Sequence, residues 1–241
     1  MATRIPTTVI TGFLGAGKTS LIRHLVENNN GKRLAFLINE FGDLGIDREL
    51  LLGCGVEGCD EDDVVELANG CICCTVADDF TPALEALLDR DTPPDHILIE
   101  TSGLALPKPL VAAFNWPEIR NRVTVDGVIT VVDASAVADG RFAPDPDAVQ
   151  AMREADPALD HDDPIEELFV DQLQCADVVV LNKSDLLEAS AMDALNVNIT
   201  PHLRSGVRLL PAAHGRLDAS ALLGLGLAAE SNLDARKSHH D

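Results

Sequence analysis

Gly12-Phe13-Leu14-Gly15-Ala16-Gly17-Lys18-Thr19 matches the pattern G-x-x-x-x-G-K-[ST]. In such a loop, glycines let successive backbone N–H groups converge on phosphate oxygens, a lysine reaches the terminal phosphates, and a threonine hydroxyl can ligate Mg²⁺. Lys18 is therefore a candidate catalytic and phosphate-binding group, with Gly12, Gly15, Ala16, Gly17, Thr19 and Ser20 as the surrounding cradle. Farther on, Asn182-Lys183-Ser184-Asp185 forms an N-K-x-D sequence. A carboxylate at Asp185 can accept from both the ring N1–H and the exocyclic amine of guanine, a pair that adenine does not offer. Such a tetrapeptide also fits a surface turn, but its place after an apolar run favours GTP over ATP. Between the two, Ile97-Leu98-Ile99 leads into Glu100-Thr101-Ser102-Gly103. Glu100 is a candidate for the Mg²⁺ shell and for catalysis, and Gly103 lets backbone approach a γ-phosphate; a helix cap at Thr101 or Ser102 is compatible with both.

A second constellation carries sulfur. Asn69-Gly70-Cys71-Ile72-Cys73-Cys74-Thr75 places three thiols within four residues, poorly suited to disulfides between sequence neighbours. Zn²⁺ and Co²⁺ both accept tetrahedral, sulfur-rich coordination, so Cys71, Cys73 and Cys74 form a candidate metal site completed by one or two further ligands. In an extended segment Cys71 and Cys73 project to the same side. Redox chemistry or inert buried thiols are the alternatives. Cys54 and Cys59 have C-x4-C spacing, which is not a standard zinc pattern, and remain unassigned; Cys175, in an apolar stretch, reads as a small core residue.

These groups must be held by strands and helices. Thr7 to Ile10, Leu34 to Ile38, Ile97 to Ile99, Val125 to Val132 and Val178 to Leu181 are short, nearly all apolar, and followed by polar residues or glycine. Ser20 to Val26 repeats its apolar positions at helical spacing. Buried strands alternating with helices predict an α/β protein, a mostly parallel sheet flanked by helices on both faces. The stretch 139–163 is dense in Asp, Pro, Ala and Glu and predicts a surface excursion before Pro164 opens a helix.

The 241 residues, 46% hydrophobic, suffice for one sizeable domain. A formal charge of −22 sets most of the surface against nucleic acid and anionic membranes. No long apolar run and no export signal stand in the sequence, so a soluble, cytoplasmic protein with reduced thiols is expected.

Together, Gly12 to Thr19, Asn39-Glu40-Phe41-Gly42, Asn69 to Cys74, Glu100-Thr101-Ser102-Gly103-Leu104-Ala105 and Asn182 to Asp185 resemble the CobW family of P-loop GTPases, related to HypB and UreG. Within it, Gly53-Cys54-Gly55 and Cys71 to Phe80 resemble the CobW proteins of aerobic cobalamin biosynthesis most. The resemblance implies GTP hydrolysis, a cysteine metal site coupled to the nucleotide, and Co²⁺ delivery to a recipient such as cobaltochelatase, with a zinc chaperone of the same family as the alternative; slow hydrolysis is expected because the candidate switch segments show no obvious arginine finger or water-positioning glutamine. It makes Glu40 a candidate metal or switch contact and allows a nucleotide- or metal-dependent dimer. It also implies a GTPase domain over 1–230 and, over 231–241, the start of a linker or a disordered tail, the family's usual C-terminal domain being absent. A P-loop small-molecule kinase is a more distant alternative, with no use for the thiols or for Asn182 to Asp185.

Overall fold

The computed structural model describes residues 4–39, 64–67, 80–155 and 164–239. Glu40, Cys54, Cys59, Cys71, Cys73 and Cys74 lie outside the described residues. Numbered among the described residues, the strands are β1 (Ile5–Thr11), β2 (Leu34–Asn39), β3 (Val64–Leu67), β4 (His96–Glu100), β5 (Val123–Asp133), β6 (Val178–Asn182) and β7 (Arg208–Pro211). The helices are α1 (Lys18–Glu27), α2 (Thr81–Leu88), α3 (Pro107–Ala113), α4 (Ala134–Ala138), α5 (Pro146–Ala155), α6 (Ile165–Cys175) and α7 (Ala189–Ile199). The strands form one sheet in the order β3-β2-β4-β1-β5-β6-β7, and every pairing is parallel.

Because side chains alternate across a strand, each apolar run feeds two cores. Val9, Leu37, Ile97 and Ile99 face Leu84 and Leu87 of α2 and Leu110 and Val111 of α3. Their neighbours Ile10, Phe36, Ile38 and Leu98 face Leu21, Ile22 and Leu25 of α1. Removing Leu25 from water contributes about 1.5–3 kcal/mol, and it is fully buried. A third cluster joins Val179 and Leu181 of β6 to Phe169 and Leu173 of α6 and to Leu195 and Ile199 of α7.

Four segments depart from expectation. Within the acidic stretch after residue 139, α5 forms and, with the turn before it, packs inward: Val149 of the helix and Ala143 of the turn are buried, and the rings of Phe142 and Phe169 stand 5.3 Å apart. A few apolar residues at helical spacing outweigh the polar composition around them. Strands β3 and β7 are four residues each, too short to carry a pattern. Residues 231–239, expected to open a linker or a disordered tail, lie on the body instead. Arg236 is buried and donates to the Cys175 carbonyl and the Asp177 carboxylate, while Ser238 and His239 bond Asp171. Arg204 adds donors to the Gln174 and Ala176 carbonyls, so two guanidinium groups satisfy the otherwise orphaned C-terminal end of α6. Cys175 is a core residue as expected, and burial pushes its thiol up to about 11.

No described helix is long and apolar enough to cross a membrane.

Candidate nucleotide site

In a doubly wound sheet, ligands bind beyond the carboxyl ends of the strands where the winding reverses. Here β1 lies between β4 and β5, and the loop that follows it, 12–17, leads directly into α1. The first turn of α1 contains no acidic residue, so its N–H groups and positive dipole end are available to an anion. Gly17 caps the helix in the left-handed region, φ 103°, and any side chain there would overlap the Asn182 amide.

A cavity of about 460 Å³ opens at this end of the sheet. Gly15, Gly17, Lys18, Thr19 and Ser20 line it from the loop and helix, and Glu100 from the end of β4. Asn182, Lys183 and Asp185 line it from the end of β6, joined by Leu186 and His214. Gly12, Ala16 and Gly103 support it from behind. The Lys18 ammonium donates to the Gly12 carbonyl at 2.8 Å, and the Ala16 carbonyl accepts from Asn182 Nδ2 at 2.9 Å. Gly103 packs so closely on the loop that an added Cβ would stand 2.8 Å from Leu14 N.

Asn182, almost fully buried, uses both ends of its amide: Nδ2 holds the phosphate loop while Oδ1 accepts from Gly215 N at 2.9 Å. It thereby locks the loop after β7 to the loop after β1. Lys183 sits at φ 59° and donates to Asp133 Oδ2 at 2.6 Å. Burial alone would raise the Asp133 pKa, but hydrogen bonds from Lys183, the Ser135 hydroxyl and Ala136 N–H outweigh it and hold the carboxyl below its ordinary value. Asp185 is more than a third exposed at the cavity, with His214 Nε2 at 3.8 Å from its carboxylate.

The oxygen donors Thr19 and Glu100 share this cavity with Lys18, a set suited to a hard cation such as Mg²⁺ beside phosphate. Among the described residues, no group of three or more His, Cys, Asp or Glu side chains is arranged to hold a metal ion. The candidate metal ligands Cys71, Cys73, Cys74 and Glu40 fall outside those residues.

Sequence reasoning overlooked Asp133 and His214. Asp133 is the more accessible of the two to such reasoning: a carboxylate ends a long apolar strand and caps the next helix by accepting from Ala136 N. Nothing local marks His214, which reaches the cavity through folding.

The model of the CobW/HypB/UreG nucleotide-binding domain matches residues 6–208. The chain belongs to that family. It is 59% identical over 238 residues to "Zinc chaperone CobW" of Sinorhizobium sp, covering 99% of this chain and 67% of that protein. It is 53% identical over 242 residues to the Pseudomonas aeruginosa "Zinc chaperone CobW", covering 99% and 64%. Similarity extends to "Zinc-regulated GTPase metalloprotein activator 1" of Schizosaccharomyces pombe, 37% identical over 217 residues, covering 89% of this chain and 47% of that protein. The chain thus spans about two thirds of the length of its CobW relatives. Among solved structures, Zn(II)-bound YjiA GTPase from E. coli superposes with a TM-score of 0.61 at 23% identity, covering 93% of this chain and 62% of that one; the likeness is one of fold. The names of all three relatives speak of zinc, and none of the three mentions cobalt.

Proposed function

We propose that this CobW-family domain is a slow GTPase that carries Zn²⁺ on Cys71, Cys73 and Cys74, with nucleotide state setting the grip on the ion. The observation that carries the reading is a single cavity presenting phosphate-binding groups, Lys18, Thr19 and Ser20, together with a base-reading carboxylate, Asp185. Phosphates rest on the α1 N-terminus and Lys18; guanine donates to Asp185, with the Lys183 stem held across the pocket by Asp133. Thr19 and Glu100 would hold Mg²⁺, which would offset the charge of the phosphates. No arginine or glutamine stands among the described residues lining the cavity, so hydrolysis is slow and open to control by a partner or by the metal.

The metal half rests on the three clustered thiols and on the two relatives named zinc chaperones. Glu40 is the proposed link between metal and nucleotide, and a recipient protein takes the ion after hydrolysis. Residues 1–230 form the nucleotide domain, with 231–239 docked on it. Cobalt, the ion suggested by the resemblance to cobalamin-pathway proteins, fits the same thiols, but raw affinity does not select it over its neighbours in the divalent series.

Co²⁺ also serves as a probe. Titrating the reduced protein with Co²⁺ should give thiolate charge-transfer and tetrahedral ligand-field absorption, both lost in Cys73→Ser. Unchanged spectra in that variant would remove the thiolate site from the account. GTP should displace fluorescent GDP at far lower concentration than ATP does; equal competition would favour a kinase reading.

A further inference from the structure

Helix α6 is amphipathic in an unexpected way: two consecutive polar residues, Asp171 and Gln172, are both buried. Gln172 Nε2 donates to the Gly103 carbonyl at 3.1 Å and the Ala105 carbonyl at 3.2 Å. A primary amide has two N–H bonds to give, which a carboxylate or hydrocarbon of similar size does not. Its Oε1 is buried and has no hydrogen-bond partner among the described residues. Turning the amide over would set that oxygen against two carbonyls, so the loop dictates the orientation. The backbone carbonyl of Gln172 accepts from Thr130 Oγ1 at 2.8 Å, tying this turn of α6 to β5.

The loop so held is the one that leaves Glu100 and presses Gly103 onto the phosphate loop at Leu14. Thr101 N, at its start, donates to the Ile10 carbonyl at 3.0 Å. Gln172 therefore fixes the loop from behind without lining the cavity. One residue earlier, Asp171 accepts from Ser238 Oγ at 2.7 Å and pairs with His239 Nδ1 at 2.6 Å. The final described residues and the loop beside the phosphates are held by adjacent side chains of one helix turn.

We propose that Gln172 is a positioning residue for GTP turnover, and that α6 relays the docking of Ser238 and His239 on Asp171 to the loop 101–105. The proposal rests on the GTPase reading of the cavity. Small displacements at a reacting centre change rates far more than they change ground-state binding. In the 241-residue chain, Gln172→Met should lower the single-turnover rate of GTP hydrolysis about ten- to a hundredfold while leaving fluorescent-GDP affinity within about twofold. The paired variant Ser238→Ala/His239→Ala, whose side chains are distant in sequence from the pocket, should lower the rate about threefold with GDP affinity unchanged. Combined with Gln172→Met it should add nothing further, because the relay is already cut.

A Gln172→Met enzyme turning over at the parent rate, or losing GDP affinity in step with its rate, overturns the positioning role. Additive effects in the combined variant, or a silent tail variant, overturn the relay. Should Gln172→Met not fold, the tail variant alone decides: a lowered rate supports the relay and an unchanged rate refutes it. If the parent chain hydrolyses no GTP, the site reading and this proposal fall together; if it does, the variants test only the proposal.

Discussion

The carboxylates at the amino-terminal ends of the strands and Asp185 at the carboxyl ends are handled in opposite ways. At the amino-terminal ends of the strands, Asp177 accepts from Val128 N, Arg204 and Arg236 at 2.8–3.0 Å. Glu230 accepts from Arg4, Thr124 and Val125 N, and Asp126 takes the three consecutive N–H groups of residues 224–226. At the carboxyl ends, Asp185 stands at the cavity rim with His214 Nε2 3.8 Å away. A buried carboxylate saturated by protein donors holds chain segments together; one presented to a cavity keeps its acceptors for a ligand. The lower, amino-terminal end fastens the chain after β7 to the sheet, and the upper, carboxyl end presents the proposed nucleotide site.

The sharpest way to break this division is Asp185→Asn. An amide replaces one acceptor by a donor, so guanine binding should fall by about 10²–10⁴ while xanthine nucleotides, which carry a carbonyl where guanine has its amine, gain; competition against fluorescent GDP reads both. Melting should barely move, since Asp185 is more than a third exposed.

Asp177→Ala should do the reverse. It strands two largely buried guanidinium groups and should cost about 3–5 kcal/mol in urea denaturation, leaving the GTP-to-ATP preference intact. A changed preference would show that the ends are not separable.

His96, at the foot of β4, supplies the pH dependence. Burial disfavours its cation and lowers its pKa to about 4, against a partial opposing pull from Asp126. Its neutral ring shares a hydrogen bond with Thr8 Oγ1 at 2.8 Å. The unfolded chain therefore binds the proton first, and stability should decline as pH falls from about 6.5 toward 4, by roughly 2–3 kcal/mol. His96→Gln should flatten that limb. An equally steep decline in the variant would assign the acid sensitivity elsewhere.

The smallest effect is expected from Asp133→Asn. It weakens the charge-assisted bond that holds Lys183 across the pocket, and GDP affinity should drop about three- to tenfold at neutral pH. The Asp133 carboxyl lies below its ordinary pKa in the folded protein, so its contribution is complete above the unfolded value and fades as pH falls through the folded one.

The sequence made the upper end far more legible than the lower. The loop Gly12 to Thr19 and the tetrapeptide Asn182 to Asp185 announce themselves because phosphate and guanine demand particular residues at fixed local spacing. The five apolar strands were readable for the same reason: burial on both faces leaves an uninterrupted run. Asp126, Asp177 and Glu230 meet donors 27 to 226 residues away, and no local pattern encodes such partners. His214 reaches the cavity the same way. Residues 231–239, where the resemblance implied a linker or a tail, are held by the buried Arg236, the hydrogen-bonded Ser238 and His239, and Leu233 packed on the core, contacts that no local pattern marks.

The central claim is that the thiols Cys71, Cys73 and Cys74 and the GTP cavity respond to one another. Linkage requires that whatever GTP does to metal affinity, the metal does equally to GTP affinity. The direct measurement is Zn²⁺ affinity of the reduced protein in its GTP and GDP forms, using a competing chelator and a non-hydrolysable GTP analogue. The account predicts tighter Zn²⁺ with the GTP analogue by about five- to a hundredfold, mirrored in the analogue's affinity when Zn²⁺ is present. The same Zn²⁺ affinity in both forms would contradict it.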